Sequence, residues 1–174
     1  TGTLTASGDL NAGTIKDATG TNTGLTVSSD GLVLTPNRPA FKAYRTSSQS
    51  ISNTNANKIE YTHTVFDIGG DFDTTNHRFV CPIAGIYMFT STVNAYNISA
   101  GNTLKSIFMK NGSTYQNAGL QFSDASTDQN VNSTIVAQMA VDDYMEVFVQ
   151  SASDSSYTLS QSNSWNTFSG YLVG

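Results

Sequence analysis

Gly85-Ile86-Tyr87-Met88-Phe89 closes a longer, largely apolar run that begins at Arg78. Successive side chains of an extended strand point to opposite faces, so Tyr87 and Phe89 share one side while Ile86 and Met88 share the other. Both sides are apolar. A two-layer sandwich covers only one face of each sheet, so the second apolar face needs another cover. No helical pattern in the chain supplies one, and a neighbouring subunit is the expected cover. The last strand, Phe168-Ser169-Gly170-Tyr171-Leu172-Val173, has the same two-sided character.

Outward from the Gly85 to Phe89 strand the chain alternates with period two in short windows. Val131, Ser133, Ile135, Ala137, Met139 and Val141 share one face, opposed by Asn132, Thr134, Val136, Gln138 and Ala140. A further strand, Tyr144 to Gln150, follows the turn Asp142-Asp143. Leu104 to Lys110 and Ser113 to Leu120 are joined by Asn111-Gly112, a dipeptide that tolerates the positive φ angles of a tight hairpin. Short strands with turn signals between them predict an all-β fold, an antiparallel jelly-roll sandwich.

The sandwich has a clear beginning. All 18 aromatic residues lie after Pro36-Asn37-Arg38-Pro39, which places a compact domain at 39–174 and a separate extended segment at 1–38. In that segment Leu25-Thr26-Val27 and Leu32-Val33-Leu34 flank Ser28-Ser29-Asp30-Gly31, two short strands around an Asp-Gly turn. Its Gly and Thr content suits a flexible linker. The steady recurrence of Leu4, Leu10, Ile15, Leu25, Val27, Leu32 and Leu34 favours a shaft or arm that packs against copies of itself or along a partner. The chain opens on Thr1 with no charged-then-apolar leader, as expected of a piece of something longer.

Composition narrows the function. Only 12% of the 174 residues are charged, and polarity rests on 23 Thr, 22 Ser and 16 Asn, residues that compete with the helix for backbone hydrogen bonds. A net charge of −5 with eight scattered cations leaves no basic face for nucleic acid. No apolar run reaches the ~18 residues of a membrane helix. Cys81 is the single cysteine, so no intramolecular disulfide or multi-cysteine metal site can form. Its setting before Pro82 reads as a small buried thiol. Catalysis through a nucleophile needs a base, and the two histidines are His63, in a strand-like alternation, and His77, in a polar loop. No carboxylate pair is singled out for glycoside hydrolysis. The chain reads as a non-enzyme.

Four motifs in order, Pro39-Ala40-Phe41, Arg78 through Phe89, Met109-Lys110-Asn111-Gly112 and Phe168-Ser169-Gly170-Tyr171-Leu172, resemble the complement one-q globular head, which shares the trimeric jelly roll of tumour necrosis factor. The resemblance spans about Pro39 to Gly174. It departs from the family pattern at Val141-Asp142-Asp143-Tyr144, where such heads usually carry Gly-Asp. It implies a homotrimer with its termini at one end and recognition loops at the other, and a trimer or sandwich core containing Phe79, Tyr87, Phe89, Phe168, Tyr171 and Leu172. No collagen-like tract precedes the head. The Thr/Gly-rich segment is instead similar to short shaft segments of bacteriophage fibres, which implies a virion or extracellular surface.

Such heads sometimes hold calcium near the trimer axis, and the loop carrying Asp71 and Asp73 is the first place to seek it; no cofactor is otherwise required. Tyr96, Tyr115, Tyr157 and Trp165 lie beside polar or Ser- and Gly-rich stretches, where an exposed ring can stack on sugar. The functional expectation is a bacteriophage-fibre head that recognises a host surface glycan or protein, joined to other virion or appendage proteins. The alternatives are a capsid decoration protein and a bacterial surface adhesin.

Overall fold

The computed structural model describes residues 14–16, 19–21, 23–124 and 127–173 and shows only strands and turns among them. The chain forms two compact units, Thr1–Arg38 and Pro39–Gly174. In the first, β1 (Thr14–Lys16), β2 (Thr23–Val27) and β3 (Val33–Leu34) make a three-stranded antiparallel sheet. The expected Asp-Gly turn joins β2 to β3: Gly31 has φ 77°, and Ser28 donates its N–H to Leu32 O at 2.9 Å. Leu4 and Leu10 lie outside the described residues.

In the second unit the strands are β4 (Ala40–Arg45), β5 (Gln49–Ile51), β6 (Asn57–Lys58), β7 (His63–Ile68), β8 (Phe72–Asp73), β9 (Arg78–Val80), β10 (Gly85–Ile98), β11 (Thr103–Lys110), β12 (Ser113–Phe122), β13 (Thr127–Met139), β14 (Tyr144–Ser151), β15 (Tyr157–Leu159) and β16 (Ser162–Leu172). They form two antiparallel sheets, the jelly-roll sandwich expected from the alternation. One runs β5-β15-β10-β16-β4-β7 with β13 on the other edge of β10; the second runs β12-β11-β14-β9-β8 with β6 on β14. The β11–β12 hairpin turns at Asn111 and Gly112, with φ of 52° and 76°. Asp142, at φ 68°, turns β13 into β14.

Between the sheets lies an aromatic core. Phe41 is its hub, with ring centroids 5.0 Å from Phe72, 4.9 Å from Phe79 and 4.9 Å from Phe168. Phe79, Tyr87, Phe89 and Phe168 are fully buried, whereas Leu172 is half-buried at the margin of this cluster. Tyr171 points the other way and is 45% exposed.

Two buried polar residues hold irregular chain in place. Arg45 donates to Gln49 Oε1 (2.8 Å), Glu60 O (2.6 Å) and Ser47 O (2.9 Å), tying two loops to the end of β4. Asn166 sits where β16 bulges away from its neighbours. Its Nδ2 donates to Asn94 O at 3.0 Å and its Oδ1 accepts from Asn94 N at 3.0 Å, so a side chain continues the ladder in place of backbone.

Candidate functional site

β10 divides as its alternation requires: Tyr87 and Phe89 are buried, Ile86 is 38% exposed and Met88 is half-buried. Register carries this second face across five strands of the seven-stranded sheet. Met88 pairs with Val136 on one side and Tyr171 on the other, Tyr171 with Ala40, and Ala40 with Ile68. Residues paired in register project to the same face. One apolar row, Val136–Met88–Tyr171–Ala40–Ile68, therefore crosses five strands on the side away from the core. Val136 is 58% and Ile68 41% exposed, and the Tyr171 hydroxyl donates to Met88 Sδ at 3.3 Å.

The next row along the same face is Thr134, Thr90, Ser169, Lys42 and Phe66, and the one beyond it is Asn132, Thr92, Thr167, Tyr44 and His63. Beyond the apolar row the face carries hydroxyls and an amide on β13, β10 and β16, and Lys42, Tyr44, Phe66 and His63 on β4 and β7. Of this face, Tyr171, the Ile86–Met88 side and the shared face of Asn132, Thr134 and Val136 were read from the sequence. Val136, Ala40 and Ile68 were missed as partners because they belong to strands distant in the chain.

The four aromatic residues proposed for ligand stacking do not form one platform. Tyr157 is 1% exposed and lies in the core, where burial pushes its phenol up to about 12; it offers no surface to a ligand, which corrects its reading as an exposed ring. Its Ser-rich flank is loop, but β15 itself pairs between β5 and β10. Tyr96 is half-buried on β10. Tyr115 is 42% exposed on β12, its hydroxyl donating to Val136 O at 3.3 Å, and Trp165 is 49% exposed on β16. Tyr115 and Trp165 stand on different sheets.

Asp71 and Asp73 flank Phe72 at β8 but do different work. Asp73 accepts from Asn76 Nδ2 (2.6 Å) and from the backbone N–H groups of Thr75 and Asn76 (both 2.9 Å); these bonds, the Asn76 side chain first, hold its carboxyl below the usual range. Asp71 is pushed up by burial and by the nearby Asp67 charge. Asp67 in turn accepts the N–H groups of Asp71 and Phe72 and so shapes the loop. Among the described residues no group of three His, Cys, Asp or Glu stands where it could hold a metal ion.

His63 is exposed beside the Tyr44 ring at 5.7 Å. His77, at φ 56°, places Nδ1 3.0 Å from Tyr61 O. Cys81 is buried, its thiol donating to Ile83 O at 3.1 Å, and burial raises its pKa, the opposite of what a nucleophile needs. Among the described residues no helix is long and apolar enough to cross a membrane.

Set beside known proteins, residues 40–173 match the C1q domain. The globular domain of zebrafish complement 1qA protein superposes with a TM-score of 0.57 at 18% identity, covering 79% of this chain and 98% of that one. Murine APRIL gives 0.62 at 13% identity, covering 78% and 99%, and the Eiger TNF of S. frugiperda gives 0.62 at 9%, covering 79% and 94%. At these identities the superpositions establish the sandwich.

Proposed function

The chain belongs to the C1q domain family through residues 40–173, and from that premise we propose that it is a non-enzymatic homotrimeric head on a virion or extracellular appendage, where it recognises a host surface glycan or protein. The observation that carries the trimer is the apolar row across β13, β10, β16, β4 and β7, whose Val136, Tyr171 and Ile68 the described residues of 39–173 leave exposed. Covering an aliphatic side chain of this size contributes about 1.5–3 kcal/mol relative to leaving it in water. Several such residues per subunit, repeated around a three-fold axis, supply a driving force that a monomer forgoes.

The appendage setting is supported by the first unit. By register Ile15, Leu25, Val27 and Val33 share one face of its three-stranded sheet, and Ile15, Val27 and Val33 are 40–64% exposed. A sheet this small is marginal alone and gains stability by laying that face on another surface. An arm lying across a capsid lattice needs the same face, so capsid decoration is the second reading.

Val136→Lys tests the trimer. Sedimentation equilibrium of the full chain at micromolar concentration is expected to give three times the 18.5 kDa chain mass, and V136K a single-chain mass with an unchanged far-ultraviolet spectrum. A wild-type monomer under those conditions overturns the proposal.

A further inference from the structure

We propose that the outer face of the six-stranded sheet, around Lys105, binds the carboxylate of an acidic saccharide. This deepens the surface-recognition reading above and rests on it, but it uses the sheet that the apolar row does not occupy. Register defines the surface. Lys105 pairs with Leu120 on β12 and with Gln150 on β14, and Thr103 pairs with Phe122. Thr103 and Lys105 alternate with Leu104 and Ser106, which are fully buried, so the paired set faces away from the core. Two surface grooves of about 440 and 420 Å³ meet there, and Lys105 and Leu120 line both.

Of the cations of this domain, Lys105 and Lys42 are unpaired among the described residues, and Lys42 stands on the other sheet, while the rest are tied up. Lys58 pairs with Glu146 at 2.5 Å, Lys110 with Asp143 at 2.8 Å, and Arg45 donates through both terminal nitrogens to Gln49, Glu60 and Ser47. Lys105 is half-buried, and among the described residues its ammonium has no ion-pair or hydrogen-bond partner. An unpaired ammonium on a half-buried side chain at the junction of two grooves is a site for a single negative charge. It is a compact point charge, without the guanidinium fork suited to bidentate phosphate. A monoanionic carboxylate fits it better.

The lining points to sugar. Asn117 lies on one groove and Thr103 and Gln150 on the other; Gln150 already donates Nε2 to Thr54 O at 2.9 Å, which leaves its Oε1 to accept from a hydroxyl. Leu120 and Phe122 are 54% and 67% exposed on the same side of β12, an apolar rim for the C–H face of a pyranose.

Calorimetric titration of the full chain with a disaccharide ending in glucuronic acid, and with its neutral glucose-ended counterpart, tests the site. The acidic sugar is expected to bind at least about tenfold more tightly than the neutral one, and more tightly at low salt. K105Q is expected to lose about tenfold in affinity for the acidic sugar while K105R stays within a few-fold. Absence of binding at millimolar acidic disaccharide, equal affinity for the neutral sugar, or an unchanged K105Q overturns the assignment. Tighter binding of an acidic peptide than of the acidic sugar overturns the saccharide class. Sedimentation of the same samples separates this site from the assembly: a K105Q trimer with lost binding supports the site, and a trimeric wild type that binds nothing defeats the site alone.

Discussion

Asn166 shows how much one side chain carries at the residue scale. It replaces two backbone hydrogen bonds of Asn94 and also donates to Ser160 O at 2.8 Å. Asn166→Ala leaves the Asn94 N–H buried without a partner, at about 1–3 kcal/mol for the orphaned group, while the Asn94 C=O keeps the Ser160 N–H at 3.1 Å. Chemical denaturation should show that loss, and a change within measurement error would show that water replaces the amide. Asp143 makes a second case. It accepts from Lys110 Nζ (2.8 Å), Asn111 Nδ2 (2.6 Å) and Ala140 N (2.8 Å), bonds that hold its carboxyl down to about 2. A depressed carboxyl stabilises the fold above its unfolded value near 3.9, and that contribution disappears as pH falls through about 2. D143N should therefore melt below wild type at neutral pH, by on the order of 1 kcal/mol, and the two melting curves should converge between about pH 4 and pH 2. A difference independent of pH would assign the effect to shape and not to charge.

At the scale of elements, β16 is the strand on which the seven-stranded sheet depends. It pairs with β10 on one side and β4 on the other, so among the described residues β4 and β7 join the rest of the sheet through it. It also brings Phe168 into the core, and Gly170 lets Phe89 and Phe41 close over its backbone: a Cβ there would meet Phe89 Cδ1 at 2.5 Å and Phe41 Cε1 at 2.9 Å. Truncation before Asn166 should abolish cooperative folding, since the lost ring alone accounts for about 3–5 kcal/mol. A truncated chain that still melts cooperatively would refute this. The alternation in β10, β13 and β16 made these long strands readable in advance. The short β5, β6, β8 and β15 were not readable, because two or three residues carry no period and their pairing is imposed by the strands they dock on.

For the whole molecule, the division at Arg38 and Pro39 makes the two units separable by experiment. A chain beginning at Pro39 retains the aromatic core and the apolar row, so it should melt cooperatively and sediment as a trimer. It should fail to join particles stripped of this protein, because the face bearing Ile15, Val27 and Val33 is gone and three linked copies of that face act together. Equal incorporation of the short and full chains would make the segment a linker and move attachment to the head.

The sequence by itself determined the all-β class, the hairpin at Asn111-Gly112 and the inward set Phe79, Tyr87, Phe89 and Phe168, because alternation and turn chemistry are local properties. It also showed that Ile86 and Met88 face away from that core. Only the tertiary structure decided what joins them: Val136, Tyr171, Ala40 and Ile68 become one row through pairing between strands far apart in the chain. The same holds for Tyr157, whose polar flank suggests surface while the β5–β10 edge encloses it, and for Lys105, whose lack of an acceptor depends on which strands pair beside it. Burial and pairing are sums over neighbours that only the closed sheets bring within reach.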